Sequence, residues 1–268
     1  MANPILNDNF GEDAKSQSIE RTLDNINPEM QGEKVYNGEL VIDSEPMTIS
    51  GTLNKLLMLF LFVIAGAYAT WTQFMAGMLD KVNMLVTVGG IAGFILAMIV
   101  IFNKKTAPLL SPFYAICEGL VLGGVSAIAE KAYPGIVIPA VISSFAALGV
   151  MFSLYRARLI RCTERFNAII LTALLSICVI YLIQFVAQFF GRSIPLLFGN
   201  GPVGLGFSAI VIVVAALSFI QDFDFIERAS EKMLPKYYEW YGAFGVMITF
   251  IWLYMEILRF LAKVNSRR

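Results

Sequence analysis

Long apolar runs alternate with short polar segments along most of this chain. After residue 55, seven runs each approach the roughly 20 residues that an α-helix needs to cross the hydrocarbon core of a membrane. They cover residues 56–75, 84–102, 113–129, 136–155, 168–190, 202–220 and 240–261. Proline and glycine mark most of the separators, as is usual between helices. The pattern predicts an all-α bundle of seven transmembrane helices over residues 51–268.

The first fifty residues have a different character. They carry ten acidic residues against only Lys15, Arg21 and Lys34, and no long apolar run. A segment of this composition buries too little apolar surface to offset the entropy of ordering it. Residues 1–50 are therefore predicted to be a disordered acidic tail on the cytoplasmic side, without a signal peptide. A solvated leader is the simpler interpretation, and binding of a partner protein is the alternative.

The positions of lysine and arginine indicate the orientation, because cytoplasmic loops are enriched in them. The loops after the second, fourth and sixth runs carry nearly all of these cations: Lys104, Lys105, Arg156, Arg158, Arg161, Arg165, Arg228, Lys232 and Lys236. This predicts a cytoplasmic N-terminus, and seven spans then place the C-terminus outside. Lys263, Arg267 and Arg268 would lie on the outer side, against the rule, so a re-entrant last segment is the alternative.

Composition narrows the chemistry further. Hydrophobic residues make up 57% of the chain and charged residues 15%, with a mean hydropathy of +0.70, as expected for a protein whose main partner is the lipid bilayer. The net charge is zero, so no nucleic-acid partner is expected. The chain has no histidine, so any pH response must come from carboxylates and most transition-metal sites are disfavoured. No catalytic motif is present, and the protein is predicted not to be an enzyme and to hold no cofactor.

Few ionisable residues lie in or beside the apolar runs. Glu118 lies in the third, Asp222 and Asp224 close the sixth, and Glu256 with Arg259 lies in the seventh, while all other titratable groups are expected in loops or tails. A carboxylate at the bilayer centre costs at least about 2.5 to 3.5 kcal/mol, so it usually faces protein or water and marks an ion or proton route. The alternative is that Asp222 and Asp224 are interfacial charges and that Glu256 merely pairs with Arg259 one turn away.

Two carboxylates that approach each other in a medium of low dielectric constant cannot easily both ionise, so they share a proton. If Asp222 and Glu256 form such a pair, protonation favours a closed, hydrogen-bonded arrangement, and deprotonation opens it or attracts Ca²⁺. Hairpin geometry opposes the approach. Measured from a turn near Pro235, the two acids are offset by roughly 12 Å if both arms are continuous helices. The pair therefore requires an irregular segment around residues 229–239.

Five stretches carry a resemblance to a known family. They read MTISGTLNKLLML, APLLSPFYAICEGLVLGGVSA, YPGIVIPAV, FIQDFDFIERA and PKYYEWYGAFGVMITFIWLYMEILRFLA, and they occur in the family's order between residues 47 and 263. The chain resembles the Bax inhibitor 1/YccA-like family of integral membrane proteins, in its prokaryotic branch. The resemblance implies a bundle of seven transmembrane helices with the last helix at its centre.

The resemblance also implies a pH-sensitive calcium leak, controlled by carboxylates on the sixth and seventh helices that hydrogen-bond when the leak is closed. Asp222 in QDFDF and Glu256 in LYMEIL stand at the two matching positions, with glutamate in place of the family's aspartate at the second. Both are candidates for transient contact with Ca²⁺ as the transported ion. Asp224 supplements Asp222, Arg259 serves as the counter-charge of Glu256, and Glu118 is a candidate for the pathway wall.

A second function of a different class remains open. Some members of the family are implied to be non-conducting regulators that bind other membrane proteins, such as a quality-control protease. The acidic tail and the basic loop 156–165 would then be the working surfaces. The family branch and the lack of targeting signals predict a bacterial inner membrane as the location.

Overall fold

A computed structural model describes residues 34–36, 39–41, 46–191 and 194–267. It contains seven long helices: α1 (Ile49–Met75), α2 (Leu79–Phe102), α3 (Ala107–Ala132), α4 (Val137–Arg156), α5 (Glu164–Phe189), α6 (Pro202–Glu231) and α7 (Tyr237–Asn265). Each is long and apolar enough to span a membrane, counting the 3₁₀ turn Lys104–Thr106 with α3. The predicted all-α bundle of seven spans is confirmed, and the chain is an integral membrane protein.

Four smaller elements accompany the bundle in the described part of the chain. The 3₁₀ turn leads into α3, and a single helical turn, Pro195–Phe198, lies between α5 and α6. Within the predicted acidic tail, β1 (Lys34–Tyr36) and β2 (Glu39–Val41) pair as two antiparallel strands. The rest of that tail, residues 1–33, 37–38 and 42–45, lies outside the described residues, so its predicted disorder stays a prediction.

Several helices extend beyond their apolar runs. α1 begins at Ile49 rather than near residue 56, because the Thr48 side chain caps it by accepting a hydrogen bond from the Gly51 amide at 3.0 Å. α6 continues past residue 220 to Glu231, and α7 begins at Tyr237. The last residue, Arg268, is not among those described. The continuous 29-residue α7 favours a full span over a re-entrant segment.

α7 is the central helix of the bundle. In its most apolar window 61% of the residues are buried, against 11% in α4 and 17% in α5. Its side chains reach the surrounding helices one after another: Phe250 packs edge-on against Phe60 of α1, and Tyr254 shares a hydrogen bond of 2.6 Å with Ser126 of α3. The helix is apolar nearly all round, which is typical of a buried helix. The predicted central position of the last helix agrees with this burial.

α1 and α3 pack with their backbones in contact. A methyl group added at Gly119 would overlap the carbonyl oxygen of Val63, and one added at Gly123 would overlap the carbonyl oxygen of Ala67. Small residues at such an interface let membrane helices approach closely and gain dispersion energy. The two helices therefore form the tightest pair in contact with α7.

One end of the bundle, called the basic end, gathers the start of α1 and the turns 103–106, 157–163 and 232–236. The Met47 amide donates to the Leu234 carbonyl at 2.8 Å, and Lys104 lies 5.5 Å from the ring centroid of Tyr238. Nine lysines and arginines identified in the sequence belong to this end. The opposite end holds the turns 76–78 and 133–136, the segments 190–191 and 194–201, and the end of α7.

Candidate functional site

Glu256 is buried on α7, with 1% of its surface exposed. Its Oε1 accepts hydrogen bonds from the Tyr181 hydroxyl of α5 at 2.6 Å and from Nη1 of Arg259 at 2.9 Å. The same guanidinium nitrogen lies 3.0 Å from the Tyr181 hydroxyl, which closes a triangle of three polar groups. The other carboxylate oxygen, Oε2, is buried and has no hydrogen-bond partner in the described part of the chain. Glu256 is therefore only half satisfied.

Asp222 lies on α6 and faces α7. The Thr249 hydroxyl is within hydrogen-bonding range of its carboxylate. Oδ1 lies 3.8 Å from the position that a Cβ would take on Gly245, so the carboxylate sits against bare α7 backbone. Oδ2 is buried without a hydrogen-bond partner among the described residues. Asp222 and Glu256 thus share one property, a buried carboxylate oxygen that no donor in the described ranges reaches.

The structure does not bring Asp222 and Glu256 together. Asp222 lies nine residues before Glu231 at the end of α6, and Glu256 lies nineteen residues after Tyr237 at the start of α7. Because both arms are continuous helices, this offset corresponds to roughly 15 Å along the axis. Only residues 232–236 separate the helices, so the irregular segment that pairing requires is missing. Projected onto the axis of α7, the two acids lie at different heights, with Asp222 nearer the basic end.

Asp224 points away from Asp222, toward the turn between α4 and α5. Oδ2 of Asp224 forms an ion pair of 2.8 Å with Arg228, one turn further along α6. Burial raises the pKa of the Cys162 thiol in that turn, and the neighbouring Asp224 carboxylate raises it further. Asp224 therefore lies at the surface of the basic end. These contacts of Asp224 do not include Asp222, so its predicted role as a supplement to Asp222 stays a prediction.

Glu118 is partly buried on α3, on the side that faces α2. Its Oε1 lies 3.0 Å from the position of a Cβ on Gly93, and the Tyr114 hydroxyl is within hydrogen-bonding range of its carboxylate. Tyr114 in turn packs against Phe244 of α7, with ring centroids 5.0 Å apart. Glu118 is thus linked to α7 through one tyrosine, and its place in a pathway wall stays a prediction.

A buried ion pair at the basic end is absent from the sequence-based candidates. Glu239, 1% exposed at the start of α7, pairs with Lys55 of α1 and accepts hydrogen bonds from the Thr48 amide at 2.9 Å and hydroxyl at 3.0 Å. A methyl group on Gly51 would overlap the Glu239 carboxylate. The prediction that other titratable groups lie in loops or tails is wrong for Lys55 and Glu239, because hydropathy assigned their helix ends to loops.

The sequence analysis also missed Tyr181 and Lys263. Tyr181, Gln184 and Gln188 recur at spacings of three and four residues in an otherwise apolar helix, which places them on one face of α5. That polar stripe is a signal that sequence inspection can detect. Lys263 lies in the last turn of α7 and is 5% exposed, so it too is a helix residue rather than part of a tail.

The candidate carboxylates lie apart from one another rather than in one cluster. In the described part of the chain, no three His, Cys, Asp or Glu side chains come together as a metal-binding group. Ca²⁺ takes six to eight oxygen ligands when it is held tightly. Isolated carboxylates with a free oxygen are suited instead to brief contact with a proton or a passing cation.

These features define the class: a seven-helix integral membrane protein whose central helix carries a half-satisfied buried carboxylate. A family model described as Bax inhibitor 1 like matches residues 3–266, essentially the whole chain. The chain belongs to the Bax inhibitor 1 like family, whose members are membrane proteins not known as enzymes. No curated protein sequence matches this chain.

Proposed function

We propose that this protein is a pH-sensitive cation leak, with Ca²⁺ as the candidate ion and with Asp222 and Glu256 as two separate proton-linked acids. One observation carries the proposal: on facing helices of the core, both acids have a buried carboxylate oxygen that no described residue supplies with a hydrogen bond. Leaving a buried acceptor unsatisfied costs about 1–3 kcal/mol, and more for a charged group. Such a cost is typical of positions that a proton or an ion occupies during function.

The two acids act in sequence rather than as a pair. A cation that enters from the basic end meets Asp222 first, where Gly245 leaves the α7 backbone uncovered. It then meets Glu256, whose free Oε2 lies roughly 15 Å further along the helix axis. Deprotonation of Asp222 creates the negative charge that attracts the cation, so flux rises as the pH rises.

Glu256 adds a contact between helices. When ionised, it attracts Arg259 and accepts a hydrogen bond from Tyr181, which ties α5 to α7. The same group therefore combines an ion-contacting oxygen with a mechanical link to an outer helix.

Ca²⁺ flux into liposomes that contain the purified protein, measured between about pH 6 and 8, tests this proposal. We expect native flux to increase with pH, Asp222→Asn to flatten the pH dependence, and Glu256→Gln to reduce flux at every pH. Glu231→Gln, which changes an exposed acid at the end of α6, is the matched control and should leave flux unchanged. Absence of flux in a folded sample, or flux that both core variants leave intact, contradicts the leak.

A second function is favoured by a different surface. Arg156, Arg158, Arg161 and Arg165 are all exposed at the basic end, which is suitable for an acidic partner. A non-conducting regulator that binds other membrane proteins would use this surface together with the acidic tail. Replacing the four arginines with glutamine should then abolish binding of the partner while Asp222→Asn has no effect. The opposite result favours the leak.

The proposed orientation has the N-terminus and the basic end in the cytoplasm of a bacterium, with the protein in the inner membrane. The positive-inside rule supports the orientation, and the family branch supports the membrane. In a variant whose only cysteine is Cys162, a membrane-impermeant maleimide should label the thiol in inverted vesicles and not in intact cells. Labelling in intact cells reverses the orientation. Slow labelling is expected, because the raised pKa of Cys162 lowers its thiolate fraction.

A further inference from the structure

A cavity of about 460 Å³ opens at the end of the bundle opposite the basic end. Its walls come from α5, from the segment 198–200 and from the last turns of α7. Its polar lining residues include Tyr181, Gln184, Gln188, Asn200, Arg259 and Lys263, and Tyr133 also lines it. The volume falls in the range of small-ligand sites.

The charge of this cavity is positive and only partly compensated. Lys263 is 5% exposed, and its ammonium donates to the Gly204 carbonyl at 3.1 Å and to the Ser208 hydroxyl at 2.9 Å. Both acceptors are neutral, and no described carboxylate forms an ion pair with Lys263. An ammonium group has three N–H donors, so one remains for a ligand. Burying a cation without a counter-charge is costly.

Arg259 supplies a second cation to the same cavity. Glu256 neutralises it through a single guanidinium nitrogen, Nη1, and 41% of the Arg259 side chain is exposed. Guanidinium has five donors in a planar fork that matches the oxygens of phosphate or carboxylate. Arg267 lies at the rim, where its Nε donates to the Asn200 carbonyl at 2.6 Å. The described lining contains two cations, Lys263 and Arg259, and no carboxylate, and Glu256 outside the lining compensates one of the two charges.

We infer that this cavity binds an oxyanion, held between Lys263 and Arg259, with the amides of Gln188 and Asn200 at the rim. The ligand group is a phosphate, supplied either by the headgroup of an anionic lipid or by free phosphate. It provides the counter-charge that Lys263 lacks and uses the third N–H of its ammonium. This site shares Arg259 with the proposed leak, but its test does not depend on the leak, because binding is measured without ion flux.

The test uses the purified full-length chain in a maltoside detergent. Inorganic phosphate is added to the protein, with chloride at the same ionic strength as the control. Phosphatidylglycerol is added in a second titration, with phosphatidylcholine as the control. The unfolding temperature and the dissociation constant are measured in both. We expect phosphate or phosphatidylglycerol to raise the unfolding temperature. Lys263→Met, which keeps the apolar stem, should weaken the binding about tenfold or more. Lys131→Met, an exposed lysine near the same end but outside the cavity lining, is the matched control.

A second variant keeps the test decisive if Lys263→Met does not fold. Gln188 is exposed, so Gln188→Glu should fold, and its added carboxylate should repel the oxyanion and weaken binding by a similar factor. A response to phosphate identifies a free anion as the ligand, and a response to phosphatidylglycerol alone identifies a lipid. The inference is overturned if neither probe raises the unfolding temperature, or if Lys131→Met weakens binding as much as the cavity variants do.

Discussion

Glu239 and Glu256 lie on the same helix, α7, and each is 1% exposed, yet their carboxylates are held very differently. Glu239 has Lys55 on Oε2 and both polar groups of Thr48 on Oε1. Glu256 has two donors on Oε1 and none on Oε2. Equal burial therefore does not mean an equal role. The number of satisfied oxygens separates a carboxylate that stabilises the fold from one that is available for an ion.

The two acids also differ in what they join. Glu239 connects the segment before α1 to the start of α7, where Pro46 forms a bridge with Pro235. Its partners come from one compact end, and Gly51 leaves just enough room for the carboxylate. Glu256 connects α7 to α5 beside an open cavity lined by Arg259. Three experiments test this contrast, from the largest expected effect to the smallest.

Glu239→Gln should produce the largest loss of stability. The amide can still accept from Thr48, but the Lys55 ammonium loses its counter-charge inside the bundle end. Breaking one partner of a buried ion pair costs on the order of 3 kcal/mol. Thermal unfolding in detergent measures the effect, with Glu231→Gln as the exposed control. A change no larger than the control would mean that the ion pair does not stabilise the basic end.

Glu256→Gln should change stability much less, by about 1 kcal/mol or below. The amide oxygen still accepts from Tyr181 and Arg259, and Arg259 is exposed enough to be solvated after the ion pair is lost. The free energy of unfolding, measured beside Glu239→Gln in the same detergent, gives the comparison. If the two variants are equally destabilised, the distinction between the two glutamates is wrong and Glu256 is a structural residue.

Arg228→Gln should have the smallest effect, below about 0.5 kcal/mol, because its ion pair with Asp224 is at the surface. The Arg228 side chain is 61% exposed and that of Asp224 is 20% exposed. The measurement is again thermal unfolding, repeated at low and high salt, since a surface pair is screened. A loss of stability comparable to that of Glu239→Gln would show that ion pairs at the basic end stabilise the fold whether or not they are buried.

Hydropathy predicted the number and order of the helices because each span must be apolar to lie in lipid. It could not predict that α1 begins as early as Ile49 or that α6 continues to Glu231, since these terminal turns are polar. Thr48 caps the start of α1, and an Asp224–Arg228 ion pair lies in the last turns of α6. For the same reason the burial of Glu239 was not predicted, because its neighbours in the sequence suggested a loop. Lys55 was concealed in the same way, since it directly precedes the first apolar run and lies inside α1 only because the helix begins at Ile49.

The candidate site was predicted only in part. Glu256 with Arg259 follows directly from helical spacing, because residues three apart share a face. The partner from α5, Tyr181, depends on how nonadjacent helices pack, which no local pattern determines. The hydrogen-bonded Asp222–Glu256 pair was a conditional prediction from two buried carboxylates, supported by the resemblance, whereas the hairpin offset already indicated that continuous helices keep these residues apart.

The backbone contact of α1 with α3 decides which part of the bundle can move. No side chain separates the two helices at Gly119 or Gly123, so sliding or tilting would drive backbone atoms into each other. α5 is packed less closely, since it buries only Ile170, Ile177 and Gln184, and its hydrogen bond to α7 runs through Tyr181. α1 and α3 therefore form the rigid part of the bundle, whereas few buried side chains of α5 resist its displacement. An outward swing of α5, released when Tyr181 parts from Glu256, is the motion that would widen the bundle.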